Sequence, residues 1–176
     1  FYLVDQTGTL ALRECPRSVV VDIHELAAGA DVGDAERHWH RGTAHEQLGE
    51  LGRARKEYRA YTELRPEDAG GFGKLAIVDI QAGRPRAALA SAERAVELEP
   101  EKSLWSLYVG HARLLAGDPT AAHAAYEQAS RLIKWESQLE DVVERDLSNF
   151  VERGWAAAEP ERQWFRDHRD GLAALQ

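Results

Sequence analysis

The sequence repeats itself every thirty-four residues between Asp34 and Lys134. Small or apolar residues recur at fixed positions of each copy, and proline closes the first two copies. The recurring columns are Gly42, Ala76 and Gly110; Gly49, Gly83 and Gly117; Ala54, Ala88 and Ala122; Leu64, Leu98 and Leu132; and Pro66 and Pro100. A fixed period of this length is typical of stacked supersecondary units. The period therefore constrains the centre of the chain to a stack of similar units.

Each copy has the pattern of two helices joined at a glycine. Asp34 and Asp68 precede helical patterns and are predicted to be N-caps, and Asp118 is predicted to cap a helix that starts with Pro119. Helices are expected over 35–48, 52–64, 69–82 and 85–99, with two more in the third copy.

The segments on either side lack the period. Residues 1–12 read as a hairpin around the turn-forming cluster 5–9, and the β-branched run 19–23 reads as a third strand, followed by a linker over 27–33. After Lys134, Ser137 with Glu140 resembles a capping box, and a last helix is expected from Pro160. We therefore predict a mainly α chain with a short β attachment before the repeats and a helical cap after them.

The repeated residues resemble the tetratricopeptide repeat family, whose pattern is Trp-x2-Leu-Gly-x2-Tyr, then Ala-x3-Phe, then Pro over 34 residues. The matching residues are Gly42, Ala54, Tyr58 and Pro66; Phe72, Leu75, Ala76, Ala88 and Pro100; and Gly110, Ala122 and Tyr126. The chain departs from the pattern at the opening aromatic position of copies one and three, His38 and Ser106, and at a later aromatic position, held by His45, Asp79 and Arg113.

The resemblance implies an α-α superhelix of three repeats within residues 34–136. Copy one spans 35–68, copy two 69–102 and copy three 103–136. A β attachment at 1–33 is either local to this chain or the end of an upstream domain, and capping helices are expected at 137–176. A solenoid needs an atypical end to cover its last exposed face.

The resemblance also implies a concave groove, lined by the first helix of each repeat, that binds an amphipathic helix or extended peptide of a protein partner. The candidate lining residues are Glu36, Trp39, Thr43 and Glu46; Gly70, Gly73, Ile77 and Ile80; and Leu104, Leu107, His111 and Leu114. Glu36 and Glu46 would favour a basic residue on the partner. The alternative is that the chain's own terminal segments cover this strip, because an exposed apolar strip is costly.

No residue pattern points to catalysis. The sequence contains no nucleophile elbow, Walker loop or dinucleotide fingerprint, and the single cysteine, Cys15, excludes an internal disulfide. His38, His40 and His45 lack the i, i+4 spacing of helical zinc pairs. We therefore predict a non-catalytic interaction module with no cofactor and no metal.

The net charge of -8 argues against nucleic acid as a partner, and no apolar run approaches the roughly 20 residues that cross a membrane. A cytoplasmic location is favoured. Two other functions stay open. Because the chain contains no methionine, we expect it to be a piece of a longer protein, so it could be an accessory region of an enzyme of thioredoxin-like or hydrolase type. It could also be a self-association module that forms a homo-oligomer.

Overall fold

The computed structural model describes the backbone of residues 3–4, 10–11, 33–132 and 137–173, and side chains within 33–132 and 143–167. The chain divides into two compact units, Phe1–Pro66 and Glu67–Gln176. Each unit is built mainly from helical hairpins, so the described part of the chain is a mainly α helical solenoid, as the repeat predicts.

In its described residues, the first unit contains one short β ladder and one helical hairpin. Strands β1 (Leu3–Val4) and β2 (Leu10–Ala11) pair antiparallel, with Leu3 opposite Ala11 and Val4 opposite Leu10, which confirms the predicted hairpin. The hairpin of copy one consists of helix α1 (Asp34–Gln47) and helix α2 (Leu51–Leu64). The predicted strand 19–23 and most of the predicted linker lie outside the described residues.

The second unit contains six helices, in the described part of the chain, that pack as consecutive hairpins. They are α3 (Ala69–Gln81), α4 (Pro85–Leu98), α5 (Ser103–Leu115), α6 (Pro119–Leu132), α7 (Ser137–Glu152) and α8 (Ala158–Ala173). Helix α5 packs against α6, α4 and α3, so copies two and three share a continuous interior.

A left-handed glycine ends the first helix of each copy. Gly49, Gly83 and Gly117 have φ of 70°, 68° and 81°, a region that costs a residue with a Cβ about 1–2 kcal/mol. The next N–H then donates back to a carbonyl five residues earlier, as in a Schellman motif. These bonds are Glu50 to His45, Arg84 to Asp79 and Asp118 to Arg113, at 2.9, 2.8 and 3.0 Å. The glycine column is therefore a column of helix ends.

Two of the three predicted aspartate caps are confirmed. Asp68 Oδ1 accepts from Gly70 N at 2.8 Å, and Asp118 Oδ1 accepts from Ala121 N at 3.0 Å. The prediction for Asp34 is wrong, because α1 already includes Asp34 and its carboxylate pairs with Arg37.

The last helix also begins earlier than predicted. It starts at Ala158 rather than Pro160, which leaves the proline in the first turn, where its missing N–H costs no helical bond. The predicted capping box of Ser137 and Glu140 lies outside the described side chains.

The small-residue columns mark where paired helices touch. A Cβ placed on Gly42 would lie 2.7 Å from the Tyr58 ring, and one placed on Gly110 would meet the Tyr126 ring at similarly forbidden distances. The alanines that follow the turns, Ala54, Ala88 and Ala122, are all buried with no exposed surface. These shared environments confirm that the copies are built alike. The leucine column is not buried throughout in this way, because Leu64 is 50% exposed.

Candidate partner-binding face

The predicted groove residues of α1 lie around Trp39. Its indole packs edge-on against Tyr58, with ring centroids 5.8 Å apart, and tilted against Tyr61 at 5.1 Å. The indole is nevertheless only partly buried. We call Glu36, Trp39, Thr43 and Glu46 the α1 face.

The polar members of the α1 face are fixed by bonds from α2 and from the residue after it. The Tyr58 hydroxyl donates to Glu46 Oε2 at 2.6 Å and lies 3.2 Å from Thr43 Oγ1. Burial and the carboxylate of Glu46 both raise the pKa of Tyr58 above its ordinary value, so the phenol remains a donor. At the other end, Arg65 Nη2 donates to Glu36 Oε1 at 2.8 Å. The α1 face therefore presents an indole flanked by two positioned carboxylates.

The matching positions in the second unit are closed. Ile80, Leu107 and His111 have no exposed surface, and Leu114 is 5% exposed. Ile80, Leu107 and Leu114 belong to one core cluster with Val143, Leu147 and Phe150 of α7, and the His111 ring packs against Phe150. The prediction that these four residues line an open groove is therefore corrected. For these four residues the alternative applies, because the chain's own C-terminal segment covers them. Ile77 and Leu104, in contrast, are only partly buried.

His111 shows how closely α7 is fitted to α5. Its Nδ1 lies 2.9 Å from the Tyr126 hydroxyl, and the ring meets Phe150 edge-on, with centroids 5.0 Å apart. Its Nε2 is 3.7 Å from Asp146 Oδ2. Burial, with the charges of Glu161 and Asp146, raises the pKa of Tyr126 well above its ordinary value. His111 is therefore a core residue at a position the sequence assigned to the groove.

The three histidines of α1 are not arranged as a metal site. His38 pairs with Glu57 and His45 with Glu50, each through Nδ1 at 2.7 Å, and the bond from His45 lowers the pKa of Glu50. Across residues 33–132 and 143–167, no group of three or more His, Cys, Asp or Glu side chains could hold a metal ion.

The polar residues that replace the family's later aromatic residue have a structural role that the sequence analysis did not predict. His45, Asp79 and Arg113 each supply the carbonyl that closes the turn, and the residue five positions on carries a side chain of opposite character. The side chain of Asp79 is 1% exposed and lies 3.6 Å from Arg84. His45 pairs with Glu50 in the same way. Arg113 differs, because it pairs with Glu93 at 3.0 Å. Residues of opposite charge type, five positions apart across each glycine of the glycine column, were the sequence signal that could have indicated this role.

Gly73, a predicted groove residue, instead makes room for a ring of the next repeat. A Cβ on Gly73 would collide with the Trp105 ring, so the glycine leaves the room that this buried indole needs. Trp105 Nε1 in turn donates to Glu99 at 3.0 Å.

Paired helices with a shared small-residue seam define a helical-repeat protein. Two models of the tetratricopeptide repeat match the sequence, one over residues 35–68 and one over residues 74–132, which together span more than half of the chain. The chain belongs to the tetratricopeptide repeat family. This membership makes it a protein-interaction scaffold.

Solved structures share the fold at low sequence identity. The crystal structure of MamA superposes with a TM-score of 0.63 and 15% identity, over 88% of this chain and 89% of that one. The type III secretion translocator chaperone SycD of Yersinia enterocolitica, in its alternative dimer, gives a TM-score of 0.54 and 17% identity, over 82% of this chain and 95% of that one. A comparison with curated proteins finds no match. Within the described residues, no helix is both long and apolar enough to span a bilayer.

Proposed function

We propose that the chain is a non-catalytic interaction module that binds a basic segment of a protein partner on the α1 face. The observation that carries this proposal is a contrast between two equivalent faces. On α5 the groove positions are sealed by α7, whereas on α1 the Trp39 indole and its two flanking carboxylates are partly exposed.

The chemistry of the α1 face favours one class of partner residue. An indole attracts a cation placed over its face, by about 0.5–1 kcal/mol at an exposed site. Glu36 and Glu46 stand three residues before and seven residues after Trp39, so they lie near the same helical surface. A lysine or arginine can therefore lay its aliphatic stem on the indole while its charge meets a carboxylate.

The test compares two double variants of equal charge in affinity purification from native lysate. Glu36→Gln with Glu46→Gln removes two charges from the α1 face and keeps an oxygen that can accept from Tyr58. Glu63→Gln with Glu127→Gln removes two charges from exposed i, i+4 pairs elsewhere. We expect the first double variant to lower recovery of the bound partner about two- to thirty-fold, and the control to retain it.

A salt series separates the charges from the indole. Raising ionic strength should reproduce the loss seen in the Glu36→Gln, Glu46→Gln variant, because exposed charge pairs are screened. Trp39→Ala should lower binding at every salt concentration. Equal recovery from both double variants, with unchanged circular dichroism, would reject the α1 face as the binding surface.

The same purified chain can be tested for self-association. Light scattering over a concentration series measures the mass of the purified chain. A mass that doubles with concentration in the wild type, and not in the Glu36→Gln, Glu46→Gln variant, would make a second copy the partner of the α1 face.

A further inference from the structure

Helix α7 covers part of α5 with the apolar side of an amphipathic helix. We call three buried residues of α5 the α5 face: Leu107, His111 and Leu114. The side chains that α7 buries are Val143, Leu147 and Phe150, spaced i, i+4 and i+7, so they share one side of the helix. This spacing is typical of a helix that binds in a hydrophobic groove of another protein. The structure therefore shows which kind of segment the α5 face accepts.

The fit of α7 to the α5 face is incomplete at His111. The ring has no exposed surface, and its Nε2 makes no hydrogen bond. Asp146 of α7 has its carboxylate on this side, but Oδ2 remains 3.7 Å from Nε2, and Oδ1 accepts from Arg145 Nε at 3.3 Å. Most buried polar side-chain atoms in proteins have a hydrogen-bond partner. A helix that brings an acceptor closer to Nε2 would therefore fit the α5 face better than α7 does.

The hydrogen bonding of His111 defines the group that is missing. Burial raises the pKa of Tyr126, so the phenol keeps its proton and can donate it to His111 Nδ1, 2.9 Å away. The neutral imidazole then carries its own proton on Nε2, the nitrogen on the side of Asp146. An N–H in this position requires an acceptor. A carboxylate is the acceptor that forms the stronger, charge-assisted bond.

Helices α7 and α8 are joined to each other by bonds of their own. Arg166 of α8 pairs with Glu144 of α7, with Nε 3.1 Å from Oε2. Arg162 Nη1 of α8 donates to Ser148 Oγ of α7 at 3.3 Å. Neither bond involves a residue of the repeats. The two helices can therefore leave the α5 face together and keep these bonds.

Two polar contacts between this hairpin and the repeats lie where water has access. Arg153 Nη2 donates to the Gln81 carbonyl, the last residue of α3, at 3.3 Å, and Glu161 Oε2 lies 2.8 Å from His123 Nδ1. Arg153 is exposed and His123 is partly exposed, so water can replace both bonds at small cost. Opening the hairpin therefore costs mainly apolar contacts, and another amphipathic helix could restore those.

We propose that the α7–α8 hairpin is an autoinhibitory lid on the α5 face. The lid opens as one unit, and a helix of a protein partner then takes the place of α7. This partner helix carries apolar residues at i, i+4 and i+7 and a carboxylate at i+3 that accepts from His111 Nε2. The lid covers a different surface from the α1 face, so the inference goes beyond the proposed function and is tested independently of it.

Native-state hydrogen exchange of the full chain tests whether the lid opens separately. We expect the slowest amides of α7 and α8 to exchange at similar rates, at least about ten-fold faster than those of α5 and α6. Exchange of all four helices at one common rate, which is the signature of global unfolding, would overturn the lid.

Arg153→Ala tests the lid without altering the core. The change removes the bond to Gln81, so exchange in α7 and α8 should rise about two- to ten-fold while α5 and α6 stay unchanged. Arg131→Ala is the matched control, because this exposed arginine pairs with Glu127 within α6, and it should leave the rates of α7 and α8 unchanged. An effect of Arg153→Ala that spreads equally to α5 and α6 would overturn the lid.

Peptides of residues 137–152 test what the α5 face accepts. Such a peptide competes with the lid, so its affinity rises with the fraction of chains whose lid is open. We expect the unaltered peptide to bind the Arg153→Ala chain about two- to ten-fold more tightly than the wild-type or Arg131→Ala chain. A peptide with Asp146→Glu, whose carboxylate reaches one methylene further, should bind about two- to ten-fold more tightly than one with Asp146→Gln, which has the same length and no charge.

Three results would overturn parts of the proposal. Equal affinity of the two altered peptides would overturn the carboxylate at i+3. Failure of every peptide to bind an Arg153→Ala chain whose lid opens by hydrogen exchange would overturn the partner helix. A mass that doubles with concentration in Arg153→Ala, and not in the wild type, would make α7 of a second copy the occupant and overturn a separate partner. Because Arg153 and Asp146 lie outside the α1 face, these failures are distinct from a failure of the proposed function.

Discussion

The hydrogen at Cα of Gly42 points at the ring of Tyr58, and a Cβ in its place would lie 2.7 Å from two ring carbons. Real Cβ atoms do not approach other atoms so closely, and an aromatic ring in a buried seam cannot move aside at small cost. Copy three repeats the pair as Gly110 and Tyr126. Copy two has Ala76 in place of the glycine and Ala92 in place of the tyrosine. A Cβ on the first helix is therefore accepted where the facing residue on the second helix is small.

We predict that Gly42→Ala destabilises the first unit by about 1–3 kcal/mol, because overpacking outweighs the gain of about 0.5–1 kcal/mol from replacing a helical glycine. Gly52→Ala is the matched control. Nothing lies within 4 Å of its added Cβ, so only the gain should appear. Denaturant unfolding measures both. Combining Gly42→Ala with Tyr58→Ala recreates the pair of copy two and should cost less than the sum of the single changes.

The packing of α7 against α5 predicts that leucine-to-alanine substitution costs different amounts of stability at two positions. Leu147 has no exposed surface and belongs to the core cluster, whereas Leu64 is 50% exposed. Leu147→Ala should cost about 2–5 kcal/mol, and Leu64→Ala about 0.5 kcal/mol or less. Hydrogen exchange read at the amides of α5 and α7 localises the effect. Similar costs at both sites would contradict the described packing.

The raised pKa of Tyr126 predicts a loss of stability in alkali. In the folded chain the phenol keeps its proton above pH 10, whereas in the unfolded chain it ionises near its ordinary pKa of 10.0. The unfolded state then binds fewer protons than the folded state, so the free energy of unfolding decreases as pH rises above about 10, by at most about 1.4 kcal/mol per pH unit. Below that pH the contribution is fully present.

Tyr126→Phe isolates this effect. The variant lacks the bond to His111 at every pH, which should cost about 0.5–1.5 kcal/mol at pH 8. Because it has no phenol to ionise, its deficit relative to the wild type should shrink between pH 9 and pH 11. Urea unfolding at several pH values measures the deficit, and a constant deficit across the range would show that Tyr126 titrates normally.

Local chemistry made much of the fold predictable. The glycine column marked helix ends because only glycine takes positive φ there without strain, and the small-residue column marked helix contacts because a ring needs the room. Asp68 and Asp118 followed cap chemistry, but Asp34 did not, since an arginine three residues on competes for its carboxylate.

The closure of the α5 face was not predictable in the same way. The apolar residues of α5 are equally suited to a foreign helix and to the chain's own α7, because burial is non-directional. The deciding contacts, such as His111 with Phe150, join residues 39 positions apart, and Phe150 lies in a segment without the period. The sequence could therefore state both alternatives for this face, and only the tertiary packing selects between them.

We propose that the α1 face is open to a partner, whereas α7 of the chain itself covers the α5 face. Hydroxyl-radical footprinting, read by mass spectrometry with and without the captured partner, can distinguish the two faces. We predict oxidation of Trp39 in the free chain, protection of Trp39 in the complex, and negligible oxidation of Leu107 and Leu114 in both states. Oxidation of Leu107 and Leu114 in the free chain, with protection on binding and no change at Trp39, would contradict the account.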